Sequence, residues 1–421
     1  MDPLVTTLGA LLGLAVAITL IIKKVNPAYS LILGATIGGL VGGAGLVDTV
    51  NIMISGAQGI IPAVIRIMTA GVLSGVLIKT GAAATIAEKI IKIIGEKGAL
   101  LALALSVMLL TAVGVFIDVA VITVAPIALA TAKKVNLPYI AILLAMVGGG
   151  KSGNMMSPNP NTIATSENFG VELSSLMIAN VVPAIVGLIT TVILATYLAK
   201  KHKGTVIKAN EAEQEDEIKE LPSFFGSIIG PVVTIGLLAL RPAFDITVDP
   251  LIALPVGGVV GALCMGKIKH LNEYMAFGLS KMMPIVILFI GTGAIAGIIA
   301  QSGLQTDTIR LLELLNMPIF LLAPISGMLM SAATASTTAG AMIASATFSS
   351  TIIGAVSPLA GAAMVHTGAT ILDHLPHGTF FHATGGSVHM DISQRLKVVP
   401  FESLVGLAMT IASTIIWGIL S

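Results

Sequence analysis

Apolar stretches of about 20 residues recur along this chain, and they constrain its fold more than any other feature. A helix needs about 20 mostly apolar residues to cross the hydrocarbon core of a bilayer. The chain is 55% hydrophobic and 10% charged over 421 residues, with a mean hydropathy of +1.00, more than a water-soluble core requires. The sequence therefore predicts an all-α polytopic membrane protein. Its ten predicted spans are 4–22, 29–47, 57–80, 138–164, 173–199, 224–241, 250–266, 276–302, 355–382 and 401–420.

Two further apolar segments, 98–132 and 316–348, are too long for one span and too short for two, which favours re-entrant hairpins. The basic residues support this interpretation, because short cytoplasmic loops are enriched in them. With residue 1 outside, 18 of the 22 basic residues, Arg395 among them, lie in predicted cytoplasmic segments, and Arg66 and Lys151 lie within the membrane. Counting either hairpin as one crossing would reverse every later loop. Both termini are thus predicted to be extracytoplasmic.

A hydrophilic stretch at 200–222 mixes charges of both signs and separates two halves, 1–199 and 223–421. Its composition predicts a cytoplasmic linker. Each half has the same order of three spans, a hairpin, an interrupted span and a final span. Because each half makes five crossings, an odd number, the halves must have opposite orientation. This order predicts two inverted-topology repeats, which many secondary transporters use for alternating access.

Four segments break the apolar pattern in corresponding places of the two halves. Backbone can leave the helix at membrane depth only where protein or a water-filled cavity satisfies its polar groups. The hairpins carry Asp118 and a hydroxyl-rich run at 331–341, and the interrupted spans carry polar runs at 148–162 and 366–386. Broken helices expose free N–H groups at one end and free C=O groups at the other. The breaks therefore predict a site for a substrate and a coupling ion.

Lys151 is the first candidate in these segments, because an ammonium group at the bilayer midplane is costly unless it is paired or faces water. It either provides the counter-charge for a substrate carboxylate or forms an ion pair with Asp118 or Asp373. A buried structural network, or the packing of small residues, would use the neutral polar groups of the same segments equally well. With Lys151, the predicted substrate-binding residues are Ser152, Asn154, Ser157, Asn159, Asn161, Thr162, Ser336, Thr337, Thr338, His374 and His377.

Asp118, Asp373 and His374 are the predicted ion-coupling residues. A carboxyl group in an apolar hairpin suits proton exchange, and histidine changes charge near neutral pH. The alternative for Asp118 is a structural carboxylate satisfied by backbone N–H groups or by Lys151. A zinc site is not predicted, because the histidines that follow Asp373 lie on a helix broken at Pro376 and present no regular ligand face.

Other classes of function find little support in the sequence. The single Cys264 excludes a disulfide framework and a multi-cysteine metal site, and a net charge of +1 gives no bias toward nucleic acid. A channel would need a continuous polar stripe, whereas polarity here is confined to four breaks. An intramembrane enzyme would need a nucleophile with its base or a His-Glu-x-x-His helix, and neither occurs. We therefore predict a secondary transporter that is not an enzyme and uses no cofactor.

Several motifs together resemble one family. They are an acidic hairpin followed by an apolar run to Pro126, P-N-P-N-T-I-A at 158–164, S-A-A-T-A-S-T-T-A-G-A at 331–341, and D-H-L-P-H-G-T-F-F at 373–381 before E-S-L-V-G-L at 402–407. Over nearly its whole length the sequence resembles the gluconate permeases of the ion transporter superfamily. The resemblance implies uptake of a sugar acid, hydroxy acid or related carboxylate by proton symport, in the inner membrane and by a scaffold that often forms homodimers.

The sequence departs from this family at the predicted site. Typical gluconate permeases have a His and a doubled Pro where this chain has K-S-G-N-M-M-S-P-N-P at 151–160, and an Asn-Asp-Pro-Gly tail where it has residues 375–378, L-P-H-G. His374 is retained at the matching place. The resemblance therefore implies the fold more strongly than gluconate itself. Sodium coupling through the hydroxyl-rich residues 334–338 is the alternative to proton coupling.

Overall fold

The computed structural model describes residues 4–202 and 221–420, except 245, 247, 315–317 and 377. These residues form helices joined by short connections, which confirms the predicted all-α class. Most of the predicted linker, 203–220, lies outside the described residues. The helices before it are α1 Thr7–Ile22, α2 Pro27–Val41, α3 Gly45–Gly59, α4 Ile61–Lys79, α5 Ala82–Ile94, α6 Ala99–Ala112, α7 Ile117–Val135, α8 Tyr139–Met155, α9 Pro160–Phe169, α10 Leu173–Ala179 and α11 Val181–Lys201.

Ten further α-helices follow the linker among the described residues. Their order parallels that of the first set, except that one continuous helix of 30 residues, α14, stands where α3 and α4 are separate. The helices are α12 Phe224–Phe244, α13 Pro250–Cys264, α14 Leu271–Ala300, α15 Leu304–Leu314, α16 Leu322–Thr334, α17 Thr337–Ile353, α18 Pro358–Gly368, α19 Thr379–Ser387, α20 Ile392–Leu396 and α21 Val399–Thr414.

Four segments of the described chain are long and apolar enough to cross a membrane: Ile61–Lys79, Val181–Lys201, Ile268–Ala300 and Ile392–Ile419. A fifth results if α5 and the segment Glu96–Ala112, bent by 107°, count as one span. Of the six other predicted spans, 224–241 is covered in full by α12, and five contain shorter or interrupted apolar helices. In these five, glycines, prolines and capping side chains start and stop helices inside the apolar stretches.

The two segments predicted as hairpins each fold into two helices that pack against each other, α6 with α7 and α16 with α17. Gly114, at φ +98°, lies in the first turn, and Ala335, at φ +47°, lies in the second. A left-handed residue ends a helix and lets the chain change direction. The second helix of each pair also contacts the other half of the chain, because α7 packs against α19 and α17 packs against α9.

Both interrupted spans are broken in their polar runs, as the sequence predicts. In the first, α8 ends at Met155 and α9 begins at Pro160. Asn159 caps α9, because its Oδ1 accepts a hydrogen bond from the Thr162 N–H at 3.0 Å. In the second, α18 ends at Gly368 and α19 begins at Thr379. These breaks place polar backbone and side chains inside an otherwise apolar core.

Helices α4 and α14 lie next to each other at glycines. A Cβ atom on Gly278 of α14 would overlap the backbone of Gly71 in α4, and one on Gly75 would overlap the backbone of Tyr274. Small residues allow helix backbones to approach this closely in membrane proteins. The contact fixes α14, whose middle forms part of the cavity described next, against the first half of the chain.

Candidate functional site

A cavity of about 1010 Å³ lies where the two helix pairs meet. The turn before α7, the turn before α17, the start of α2, the middle of α14 and the start of α19 form its walls. Small-molecule sites in proteins have volumes on the order of 300–1,000 Å³. The cavity can therefore hold a small metabolite together with water. Its polar lining residues are Asn26, Asp118, Asn154, Ser280, Lys281, Ser336, Thr337, Thr338, Asp373 and Thr379.

Besides α2, three helices begin at the wall of this cavity: α7, α17 and α19. The first N–H groups of a helix have no partner within it, and this end carries partial positive charge. Side chains accept hydrogen bonds from some of these free N–H groups. The Oγ of Ser336 accepts from the Ala339 N–H at 3.2 Å in α17, and Oδ1 of Asp118 accepts from the Val119 N–H at 2.9 Å in α7. Three such helix ends at one wall favour a bound anion.

Lys281 adds a full positive charge to this wall. It lies in α14, and its ammonium is 5.4 Å from the centroid of the Phe277 ring. Sequence reasoning counted Lys281 only as one of many cytoplasmic basic residues and missed its place at the cavity. Lys281 lies inside the predicted span 276–302, near its cytoplasmic end, so the charge count assigned it to the cytoplasmic side, and only the folded chain brings it beside the helix turns.

Lys151 is fully buried in α8 and forms an ion pair with Asp373. Its Nζ lies 2.5 Å from Oδ1 of Asp373, 2.7 Å from the carbonyl oxygen of Thr370 and 2.8 Å from Nδ1 of His374. These three partners match the three protons of an ammonium group. Of the two acids that the sequence offers as partners, the structure selects Asp373. That carboxylate also reaches the cavity, since its Oδ2 accepts from Oγ1 of Thr337 at 2.5 Å.

A second buried ion pair lies behind His374. Arg395 is 1% exposed and Glu402 is 0% exposed, and Nη1 of the first lies 3.0 Å from Oε1 of the second. Oε2 of Glu402 is 3.8 Å from Nε2 of His374, which also lies 3.0 Å from the carbonyl oxygen of Val399. Arg395, predicted in a cytoplasmic segment, is buried because Glu402 and backbone oxygen satisfy it. An acid inside the last predicted span was the signal for this pair.

Polar side chains of the first break bond mainly to each other. Nδ2 of Asn159 donates to Oδ1 of Asn154 at 2.5 Å, and its Oδ1 accepts from the N–H and the hydroxyl group of Thr162, both at 3.0 Å. Of these three residues only Asn154 lies on the cavity wall. The network therefore fixes the end of α8 against the start of α9 and offers one amide to the cavity.

His366 is a buried polar residue that sequence reasoning missed. It lies in α18, with Nε2 2.8 Å from Nδ2 of Asn161 and Nδ1 3.3 Å from the side-chain amide of Asn180. A neutral imidazole carries one proton, so one of its two nitrogens accepts and the other donates. This arrangement suits a structural contact between α9, α18 and the start of α11. The signal available in the sequence was the histidine that begins the polar run 366–386.

The predicted site residues thus divide into two groups, and His377 lies outside the described residues. One group lines the cavity, and the other is buried beside it, where Ser152 donates to the Gly148 carbonyl oxygen at 2.9 Å and Ser157 has no hydrogen-bond partner among the described residues. The lining group is Asp118, Asn154, Ser336, Thr337, Thr338 and Asp373. The buried group is Lys151, Ser152, Ser157, Asn159, Asn161, Thr162 and His374.

Arg66, the other basic residue predicted within the membrane, forms a separate ion-pair cluster. Its Nη2 lies 2.8 Å from Oδ2 of Asp249, and its Nη1 contacts Glu167. The cluster joins α4, α9 and the residue that caps α13. The hydrogen bond from Arg66 holds the pKa of the Asp249 carboxyl group below its usual range. The cluster does not line the large cavity; it borders a smaller one of about 240 Å³.

A bundle of apolar helices around a polar, partly charged cavity defines a polytopic membrane transporter. The chain belongs to the GntP family of permeases, whose family model matches residues 5–420. The resemblance found in the sequence is confirmed. The protein is accordingly a multi-pass inner-membrane protein and not an enzyme.

Individual relatives span nearly the whole chain. A Haemophilus influenzae protein described as an uncharacterized transporter is 59% identical over 416 residues, which is 99% of both chains. The high-affinity gluconate transporter of Escherichia coli K12 is 24% identical and covers 89% of this chain and 90% of its own. Among solved structures, the YdaH transporter of Alcanivorax borkumensis matches with a TM-score of 0.57 and 13% identity, covering 83% of this chain and 84% of its own. That match supports the fold alone.

Proposed function

We propose that this permease imports a small organic anion, such as a sugar acid, a hydroxy acid or a related carboxylate, by proton symport. The observation that carries the proposal is the cavity between the two helix turns, where three helix N-termini and Lys281 face one space. Helix N-termini and a nearby ammonium group bind carboxylates through N–H donors and positive charge. The gluconate relative, which transports a hydroxylated carboxylate by its name, supports this substrate class.

The remaining lining suits the uncharged part of such a substrate. Ser336, Thr337, Thr338 and Asn154 present hydroxyl and amide groups to the cavity. These groups both donate and accept, as the hydroxyl groups of a sugar acid do. The apolar wall from the middle of α14 would contact its carbon chain. Specificity would then come from how many substrate hydroxyls find a partner, because an unpaired buried polar group is costly.

Proton coupling is the part of the proposal that rests on the acids. Asp118 and Asp373 line the cavity, and His374 lies directly behind Asp373. We propose that Asp118 and the cluster of Asp373 with His374 exchange protons with the cavity. In this proposal Lys151 holds the cluster together and the substrate carboxylate meets Lys281. Carboxylates and histidine in a partly dry site are the groups that transporters use for proton transfer.

Two inverted-topology repeats with re-entrant hairpins would account for the arrangement. The two halves have parallel element orders, and α1 packs on α2 as α12 packs on α13, while α6 packs on α8 as α16 packs on α18. Contacts across the halves are reciprocal as well, α7 with α19 and α17 with α9. Inverted repeats of this kind place substrate at their interface near the midplane. The homodimer implied by the family resemblance stays a prediction.

The cavity and the Arg66 cluster suggest an inward-facing state. Asn26, on the cavity wall, lies at a helix end predicted to be cytoplasmic, and Lys281, also on the wall, is counted among the cytoplasmic basic residues of the sequence. Arg66 and Asp249 lie near helix ends predicted to be extracytoplasmic, where their ion pair with Glu167 ties α4, α9 and α13 together. In alternating access, opening toward the outside would break this cluster.

Uptake into proteoliposomes tests the proposal. Labelled gluconate, a panel of hydroxy acids and dicarboxylates would be offered under an imposed pH gradient and, separately, a sodium gradient. We expect accumulation driven by the pH gradient and abolished by a protonophore. Accumulation only with sodium would move the coupling role to residues 334–338. If no anion is taken up by a folded protein, the proposed substrate class is wrong.

A matched pair of variants tests the role of Lys281. Lys281→Met removes the charge at the cavity, and Lys267→Met removes an exposed charge that precedes the same helix but does not line the cavity. We expect the first to raise KM for the anion about tenfold or more, because a charge-assisted contact contributes about 1.5–3 kcal/mol. The second should leave KM unchanged. Equal effects of both would show that Lys281 acts only through the general surface potential.

A further inference from the structure

Lys151, Asp373 and His374 form a buried triangle of polar atoms. Nζ of Lys151 lies 2.5 Å from Oδ1 of Asp373 and 2.8 Å from Nδ1 of His374, and Nδ1 lies 2.8 Å from the same Oδ1. All three side chains are almost completely buried. Every edge of the triangle is therefore short enough for a hydrogen bond.

The other nitrogen of His374 fixes the tautomer. Nε2 lies 3.0 Å from the backbone carbonyl oxygen of Val399, which can only accept a hydrogen bond. Nε2 must therefore carry a proton. Ser403 does not change this assignment, because its hydroxyl group, 3.1 Å away, can accept or donate. Protonation of the imidazole can then vary only at Nδ1, inside the triangle.

Whether Nδ1 of His374 is protonated or not, one of the three contacts in the triangle cannot be a hydrogen bond. If His374 is neutral, Lys151 donates to both Nδ1 and Asp373, and the edge between Nδ1 and Oδ1 has two acceptors and no proton. If Nδ1 is protonated it donates to Asp373, and the edge to Lys151 then has two donors and two positive charges. One added proton thus replaces the hydrogen bond from Lys151 to Nδ1 with a hydrogen bond from Nδ1 to Asp373. Two arrangements that differ by one proton are what a coupling site requires.

Glu402 supplies the negative charge that is needed when His374 is protonated. With neutral imidazole the buried charges of Lys151, Arg395, Asp373 and Glu402 sum to zero. A proton on His374 adds one positive charge, and Oε2 of Glu402 is 3.8 Å from Nε2. Arg395 holds Glu402 in place through two contacts of 3.0 Å. No other charged side chain of the described residues contacts the imidazole.

We propose that the coupling proton resides on Nδ1 of His374, and that Glu402, held by Arg395, is the positioning acid that stabilises the imidazolium. This rests on the proton symport proposed above. Binding forms one N–H bond at Nδ1, and release to the cavity breaks the same bond. Asp373 links the triangle to the substrate, since its second oxygen accepts from Thr337 on the cavity wall. Protonation weakens the contact between Lys151 and His374 and so changes the charge presented behind that wall.

Two transport assays separate this role from a structural one. Exchange of labelled for unlabelled substrate at equal pH needs no net proton movement, whereas accumulation under a pH gradient does. We expect His374→Gln to lose pH-driven accumulation at least tenfold more than it loses exchange. We expect Glu402→Gln to shift the midpoint of the pH profile of uptake by about one unit to lower pH, which is tenfold in proton concentration.

One control variant at a surface acid and one double variant that removes both buried charges complete the design. Glu88→Gln removes an acid from a surface ion pair with Lys92 and should leave the profile unchanged. If Glu402→Gln does not fold, the double variant Glu402→Gln with Arg395→Met removes both buried charges together and avoids an unpaired one. A shifted profile supports the proposal. An unshifted pH profile in a folded Glu402 variant, or full accumulation by His374→Gln, overturns the proposal. Wild type that exchanges substrate but does not accumulate it under a pH gradient refutes the proposed symport instead.

Discussion

Removing one member of the Lys151–Asp373 ion pair is expected to cost about 3–5 kcal/mol of unfolding free energy, because it leaves a buried charge without its partner. The side chains are 0% and 3% exposed, and their charged atoms lie 2.5 Å apart. A loss of 3 kcal/mol changes the ratio of unfolded to folded protein by roughly 100-fold or more. The double variant Lys151→Met with Asp373→Asn leaves no unpaired charge, so it should be more stable than the less stable single variant.

The two single variants, Lys151→Met and Asp373→Asn, should lose different amounts of unfolding free energy. In Lys151→Met the Asp373 carboxylate still lies 2.8 Å from Nδ1 of His374, which can take up a proton and become its new cationic partner. In Asp373→Asn the Lys151 ammonium faces only neutral acceptors at contact distance, Thr370 and the imidazole. Asp373→Asn should therefore be the more damaging change. The defect of Lys151→Met should shrink at lower pH, because a proton on His374 then supplies the missing positive charge.

Reversible unfolding in detergent at several pH values measures these effects. Lys92→Met is the matched control, since Lys92 pairs with Glu88 on the surface at 2.6 Å and such pairs contribute only about 0.2–1 kcal/mol. A coupling free energy near zero in the double-mutant cycle would refute the reasoning. A cost for Lys151→Met no larger than that for Lys92→Met would do the same.

Three further predictions test the cavity, the helix contact and the outer ion-pair cluster. Thr337→Val should raise KM several-fold in uptake assays, because it removes a cavity hydroxyl bonded to Asp373, whereas Thr347→Val in the same helix removes a buried hydroxyl without a partner among the described residues and should leave KM unchanged. Gly278→Ala should lower the unfolding free energy by about 1–3 kcal/mol through overpacking, whereas Gly236→Ala, which meets no atom within 4 Å, should not. The stability difference between wild type and Asp249→Asn should be constant above about pH 5, begin to fall near the unfolded-state pKa of about 4 and vanish only below the lowered folded-state pKa, because the carboxylate loses its contribution when it is protonated.

The sequence was sufficient for the class of the protein and for the places where its helices break. Hydropathy identifies membrane helices because the bilayer requires about 20 apolar residues, and polar runs such as 148–162 mark the breaks because lipid tolerates no unsatisfied backbone. Local signals also identified Asp118 and the hydroxyl run near Ser336 as cavity residues. Each of these features depends on a few neighbouring residues, which a sequence displays directly.

The partners of buried charges could not be predicted in the same way. Lys151 and Asp373 are separated by 222 positions in the chain, and nothing local distinguishes Asp373 from Asp118 as the partner. The burial of Arg395 and the place of Lys281 at the cavity both follow from how α19 to α21 and α14 pack. Positive charge in loops reports on membrane orientation, but it does not distinguish an exposed lysine from one that lines a site.

The charge balance at the site leads to a prediction about substrate affinity. The buried network is neutral when His374 is uncharged, so a bound anion is compensated only by Lys281 and the helix N-termini. A proton on His374 adds positive charge directly behind Asp373, and by linkage the bound anion must then raise the affinity for the proton as much as the proton raises the affinity for the anion. Substrate affinity in detergent should therefore rise between pH 7.5 and pH 5.5, by about 5-fold or more if the coupling is of typical size, and by less than about 100-fold because one linked proton changes affinity at most tenfold per pH unit. Calorimetric titration at the two pH values measures this, and His374→Gln should lose the dependence. Wild type whose affinity is equal at both pH values would show that the anion and the proton do not share this site.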